Sequence, residues 1–242
     1  MLDTKQIELI RYALKKSKVL TVSTLHYSEN ERMVLDYILE SFLKAFHMES
    51  LTTVLSYCLH ELITNAQKAN RKRLYFRQTG MNIHRSSDYI IGSRTMKNEN
   101  PVLLHELTEN LKKKRLQITV QFAKSRKNIR MKVKNGFALT DFEKTRIKDK
   151  ISTALSLNSC SDSWADAADF FDGAGLGLLT IVQLLKKIGL TGRELIIYSR
   201  KSETQAVLTM NRKKLNRYPM RLQKECGYRL AIPFFKSLGK FK

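Results

Sequence analysis

The spacing of apolar residues switches along this chain, and that switch constrains the fold more than any single motif. In the first part, apolar side chains recur three and four apart: Ile7, Ile10, Ala13 and Leu14, then Met33, Leu35, Ile38, Leu39, Phe42 and Phe46, then Leu55, Leu59, Leu62 and Ile63. That period places each group on one face of a helix. From Leu116 the spacing drops to two, through Ile118, Val120 and Phe122, and again through Ile129, Met131 and Val133, with a polar turn at 125–128. Two such runs joined by a short polar turn predict a β-hairpin. Helical spacing returns with Phe142, Ile147, Ile151 and Leu155, and once more over 176–188. Residues 194–200 and 205–210 read as a second hairpin, and 19–24 and 228–234 as further strands. This order predicts an α/β (α+β) two-layer sandwich, with a mixed β-sheet covered on one face by helices.

Within that frame, residues 1–48 read as an N-terminal helical element for docking or homodimerisation. Residues 49–242 read as the main domain, with an insertion at 78–112 punctuated by Gly80, Gly92 and Pro101. With 242 residues and 43% hydrophobic content, the chain can bury one full core. No run of about 18 apolar residues exists, so no membrane span is expected. The charged N-terminus lacks an apolar signal core, which points to a cytoplasmic protein. Cys58, Cys160 and Cys226 are far apart and form no CxxC pair, so neither a disulfide framework nor a zinc site is expected. Cys58 lies in an apolar helical run and is expected to be buried.

Lys and Arg number 44 against 22 Asp and Glu, a net charge of +22. Such a field attracts nucleic acid, anionic membrane or acidic protein. Solvated lysine-rich faces give the same balance, and the basic clusters at 112–115, 124–127 and 212–214 lack interleaved aromatics.

Three segments carry chemistry together. In His60-Glu61-Leu62-Ile63-Thr64-Asn65-Ala66-Gln67-Lys68, Glu61 and Asn65 share a helix face and Lys68 lies near the same side. Magnesium prefers oxygen ligands such as the Asn65 carboxamide, Glu61 can orient or deprotonate a nucleophile, and Lys68 can meet phosphate. An ordinary exposed helix face carries such a row too. The second segment, Asp172-Gly173-Ala174-Gly175-Leu176-Gly177-Leu178, precedes an apolar helix, where bare backbone N–H groups and the helix dipole favour phosphate. It is not a dinucleotide fingerprint, and no Walker loop occurs. The third, Val133-Lys134-Asn135-Gly136, is a strand running out into a turn, where a polar side chain can meet the rim of a base.

In their order along the chain, 60–69, 133–136 and 173–178, the segments resemble the GHKL (Bergerat-fold) ATPases, the superfamily of DNA gyrase, the heat-shock chaperone ATPase, histidine kinases and the mismatch-repair ATPase. HELITNAQKA is similar to the N box, VKNG to the adenine-contacting G1 box, and GAGLGL to the second glycine box. The resemblance covers roughly residues 50–235. It implies ATP and Mg2+ as cofactors, Glu61 as the catalytic residue, and Asn65 as both nucleotide contact and Mg ligand. It also implies nucleotide contacts by Lys68, Asn135, Gly136, Gly173, Ala174, Gly175, Leu176 and Gly177. Asn135 stands where the family usually has Asp. Its oxygen can accept the same bond from adenine, while its amide NH2 suits a different base. Residues 156–172 would be the ATP lid, with Asp162, Asp166, Asp169 and Asp172 and no Lys or Arg.

The length suits the compact histidine-kinase branch rather than relatives with a transducer domain. His60-Glu61 superficially matches a phosphoacceptor pair but lies inside the N box, His47 ends a helix without a following acid, and His26 sits in an expected loop. The expectation is a soluble histidine-kinase-like protein of bacterial signalling that phosphorylates a protein partner or switches its binding. The alternative is a non-catalytic GHKL interaction module whose basic surface binds nucleic acid or an acidic protein.

Overall fold

The computed structural model describes residues 3–16, 19–25, 27–99, 106, 109, 116–157 and 176–215. Helix α1 (Thr4–Lys16) leads into strand β1 (Leu20–Thr24), then α2 (Glu29–Lys44) and a 3-10 turn (Glu49–Leu51). The long α3 (Thr52–Gln78) follows, then α4 (Ser86–Thr95). Strands β2 (Ile118–Lys124) and β3 (Asn128–Asn135) form the first hairpin. Next come α5 (Asp141–Ser156), α6 (Leu176–Lys187), the hairpin β4 (Leu195–Arg200) and β5 (Glu203–Asn211), and a short α7 (Arg212–Leu215).

Local chemistry sets the helix ends. Thr140 and Glu143 form a capping box at the start of α5: Glu143 N donates to Thr140 Oγ1 (3.2 Å), and Thr140 N donates to Glu143 Oε2 (3.0 Å). At the other end of α5, Lys186 of α6 donates to the carbonyls of Leu155 (2.7 Å) and Leu157 (2.8 Å). Those carbonyls have no partner within their own helix, so a cation there satisfies them and complements the dipole.

The five strands pair in the order β1-β2-β3-β5-β4, every neighbouring pair antiparallel. The mixed sheet expected from the sequence is therefore corrected to an antiparallel one among the described strands. Strand β4 does run in the same direction as β3, as the crossover through α5 and α6 requires. Its hairpin partner β5 lies between them, so no two parallel strands become neighbours.

Helices cover one face. Leu35, Leu39 and Phe42 of α2 and Leu55, Leu59 and Ile63 of α3 are fully buried with Val120 and Phe122 of β2 and Met131 of β3. The Phe42 and Phe122 rings lie 5.6 Å apart between centroids. Ile10 of α1 joins this same core, and β1 is an edge strand of the sheet, so the 1–48 element shares sheet and core with the rest. Cys58 is buried as expected, and burial pushes its thiol up to about 12.

Helix α3 runs to Gln78, well past Ile63, the last apolar residue of its expected stripe. Its C-terminal Leu74, Tyr75 and Phe76 form a second cluster with Met81, Ile83 and Met96, and this cluster seats α4, part of the expected insertion. Gly92 lets α4 pack this closely, because a Cβ there would lie 2.6 Å from Phe76 Cζ and 2.9 Å from Met81 Sδ. The helix expected at 102–112 is seen only at Glu106 and Glu109. The strand expected at 228–234 lies outside the described residues. Among the described residues no helix is long and apolar enough to cross a membrane.

Candidate functional site

Between α3, α4, α5, the start of α6 and the covered face of the sheet lies an open cleft of about 870 Å³. Its size is that of a small-molecule or cofactor site. Glu61, Asn65 and Lys68 line it from α3, Asn135 from the end of β3, and Gly177 from the first turn of α6. Residues from all three chemically suggestive segments thus face one space.

Glu61 is held from two sides. The Asn65 amide donates to Glu61 Oε1 at 3.1 Å, the i,i+4 geometry of a helix face. Burial raises the Glu61 carboxyl above the ordinary glutamate value, and the Lys68 charge and the Asn65 hydrogen bond only partly offset that rise. Gly177 is the reason α6 can approach. A Cβ at that position would sit 2.8 Å from Glu61 Cγ and closer still to the carboxylate. Glycine at 177 therefore makes room for Glu61, in addition to any contact its backbone makes with a ligand.

Asn135 is buried at the end of β3, paired with Thr204 of β5. A relay fixes its orientation. The Leu116 carbonyl can only accept, and Asn70 Nδ2 donates to it at 3.2 Å. Asn70 Oδ1 is then the acceptor for Asn135 Nδ2, at 3.3 Å. One N–H of Asn135 is thereby committed to Asn70, which fixes which end of the amide is oxygen.

A largely buried ion pair holds the walls together. Arg73 of α3 makes a bidentate pair with Glu143 of α5, through Nη1 to Oε1 at 2.9 Å and through Nη2 to Oε2, and Nη2 also donates to the Ala138 carbonyl at 2.8 Å. Burial works to raise the Glu143 carboxyl, but the Arg73 hydrogen bond and charge hold it below the usual range. Lys72 donates to the Tyr89 hydroxyl of α4 at 2.9 Å and lies 3.7 Å from Glu143.

Beside α3, an Asp36–His60–Tyr27 relay locks α2 against it. His60 Nε2 lies 2.7 Å from Asp36 Oδ1, Ser56 donates to the same oxygen at 2.5 Å, and the Tyr27 hydroxyl meets His60 Nδ1. Both ring nitrogens of the buried His60 are engaged, consistent with a positioning role for it rather than phosphate acceptance.

Gly136 and Leu176 adjoin the cleft without lining it, and Leu178 lines it instead. Gly173, Ala174, Gly175 and nearly all of the lid expected at 156–172 lie outside the described residues. Sequence reasoning missed Asn70, Arg71, Arg94 and Arg146. The three arginines line the cleft, and Asn70 orients Asn135. Asn70 closes the NAQKAN string, which is the one signal that could have drawn attention to it. Among the described residues no three His, Cys, Asp or Glu side chains group as a metal site. A hard cation here would complete its shell with ligand oxygens and water, as magnesium commonly does.

The chain is 28% identical over 193 residues to an uncharacterized protein of Treponema pallidum (strain Nichols), covering 78% of this chain and 38% of that protein. It therefore spans well under half the length of that relative. No protein-family profile and no solved structure matches the chain.

Proposed function

We propose that the cleft binds Mg-ATP in the manner of the GHKL histidine-kinase branch, and that the chain uses it to phosphorylate, or to switch its grip on, a protein partner. The observation that carries this reading is the convergence of Glu61, Asn65, Lys68, Asn135 and Gly177 on one cleft. Asn65 Oδ1 suits magnesium, since its amide nitrogen is turned to Glu61. Lys68, Arg71, Arg94 and Arg146 supply positive charge for a polyphosphate. Asn135 Oδ1 suits the amino group of adenine, which guanine lacks at that position. Magnesium, when bound, would neutralise phosphate charge. Glu61, its basicity raised by burial, would take the proton from an attacking hydroxyl, imidazole or water.

The test is a titration of a fluorescent ATP analogue, followed by competition with ATP and GTP and by radiolabel transfer to candidate partners. Glu61→Gln is expected to retain ATP and lose about 10²–10⁴-fold in hydrolysis or transfer. Asn135→Ala is expected to erode the preference for ATP over GTP. Absence of turnover with every partner would leave nucleotide-switched binding as the function. Absence of nucleotide binding would overturn the reading.

A further inference from the structure

The face of the sheet opposite the helices has its own chemistry. Along β3, the outward positions Arg130, Lys132 and Lys134 form one column. The registered neighbours of the two lysines on β2 and β1 are polar, Gln121 and Thr21 beside Lys132 and Thr119 and Ser23 beside Lys134, while Arg130 has Ala123 beside it. On the other side lie Thr209 and Val207 of β5, and beyond them Ile196 and Tyr198 of β4, 57% and 39% exposed. Arg200 extends the positive charge. The only carboxylate on these outward strand positions is Glu203, 3.8 Å from Lys134.

We propose that this open face binds single-stranded nucleic acid, with the phosphates on the β3 column and the bases toward β4. Charge complementarity commits the face to a polyanion, given the net charge of +22. The side-chain set narrows the choice. Arg and Lys flanked by Ser, Thr and Gln are the groups that hold phosphodiester and sugar oxygens. An acidic peptide would engage the cations but offers no base ring to stack on the exposed Tyr198. Alternate residues of β3 project at a regular interval of about 7 Å, which suits a repeating backbone. Strand β4 lies two strand spacings away, about 10 Å, where a base on that backbone can reach an aromatic surface. The Tyr198 ring is steadied there, because its hydroxyl donates to Gln205 Oε1 at 3.1 Å. An exposed ring on this face suits splayed bases, which can stack on it, better than a duplex whose bases are already stacked. The site is separate from the cleft and does not depend on its ligand.

The experiment is fluorescence anisotropy of a labelled oligothymidylate of about 20 nucleotides with the full chain, from roughly 50 to 300 mM salt. R130Q/K132Q/K134Q is expected to lower the slope of log affinity against log salt by about 2, roughly 0.7 per lost contact. Y198A is expected to weaken binding about tenfold with the slope unchanged. The α1 variant K5Q/R11Q/K15Q removes equal charge elsewhere and is expected to leave the slope unchanged, as is Asn65→Ala in the cleft. Thermal unfolding of each variant verifies folding, and the outward R130E single variant serves should the triple variant unfold. Equal slope losses from the sheet and α1 triples would overturn the proposal. So would tighter binding of an acidic peptide or of phosphatidylserine vesicles than of the oligonucleotide, or a preference for duplex.

Discussion

The two faces of the sheet are built from the same strands and differ in chemistry. On the covered side, Val120, Phe122, Met131 and Leu208 are buried against α2, α3 and α6. On the open side, the alternate residues of those strands are Gln121, Arg130, Lys132 and Thr209. A period of two sorts the residues, so a single hairpin carries both a core and a charged surface. Stability should therefore reside on one side, while substitutions on the other should leave the fold intact. The cleft lies at the rim of the covered side, where apolar packing gives way to polar side chains such as Glu61, Asn65 and Asn135.

The contrast is broken most severely by emptying the covered side. Phe42→Ala is expected to cost about 3–5 kcal/mol, lost transfer energy plus a cavity against Phe122, measured by urea unfolding. Next is the tie between the cleft walls. Arg73→Met leaves the largely buried Glu143 with Lys72 as its only nearby cation among the described residues and is expected to cost about 3 kcal/mol. The same pair gives a pH signature. The folded carboxyl of Glu143 is depressed, so its contribution to stability is fully present above the ordinary glutamate value. That contribution is lost as pH falls through the lower folded value. Wild-type stability should decline through that acid window, and Arg73→Met should flatten the decline.

Asn70→Ala tests the rim more finely. It leaves the buried amide of Asn135 without its acceptor, and a loss of about 1–3 kcal/mol is expected. Released from the relay, Asn135 should also discriminate less between ATP and GTP. The smallest effect belongs to the open face, where Thr21→Ala is expected to change stability by no more than about 0.5 kcal/mol. A large loss there would mean that this face is not an independent surface.

Much of this was legible in the sequence, for a physical reason: periodicity is local. Phe42, Leu59, Val120 and Met131 announce their faces through neighbours a few residues away. Glu61, Asn65 and Lys68 fall on one helix face by arithmetic alone. What was not legible depends on distant pairing. Nothing in the spacing of β4 and β5 says that β5, and not β4, lies beside β3. Gly177 reads as a phosphate-loop glycine, yet its tightest neighbour is Glu61, a contact made only by folding. A Gly177→Ala variant therefore displaces Glu61 as well as any ligand, and is a less selective probe than Asn65→Ala. The continuation of α3 was hidden because Arg71, Lys72 and Arg73 interrupt the apolar period. Two of those side chains turn out to be structural, through Glu143 and Tyr89.

The central claim is that Asn65 serves a magnesium-bound nucleotide in the cleft. Isothermal titration of ATP into wild type and Asn65→Ala, each with magnesium and with a chelator, addresses it directly. The predicted result is tight magnesium-dependent binding by the wild type, with Asn65→Ala losing most of the magnesium-dependent part and little of the metal-free affinity. Equal losses in both conditions, or no ATP binding by the folded wild type, would contradict it.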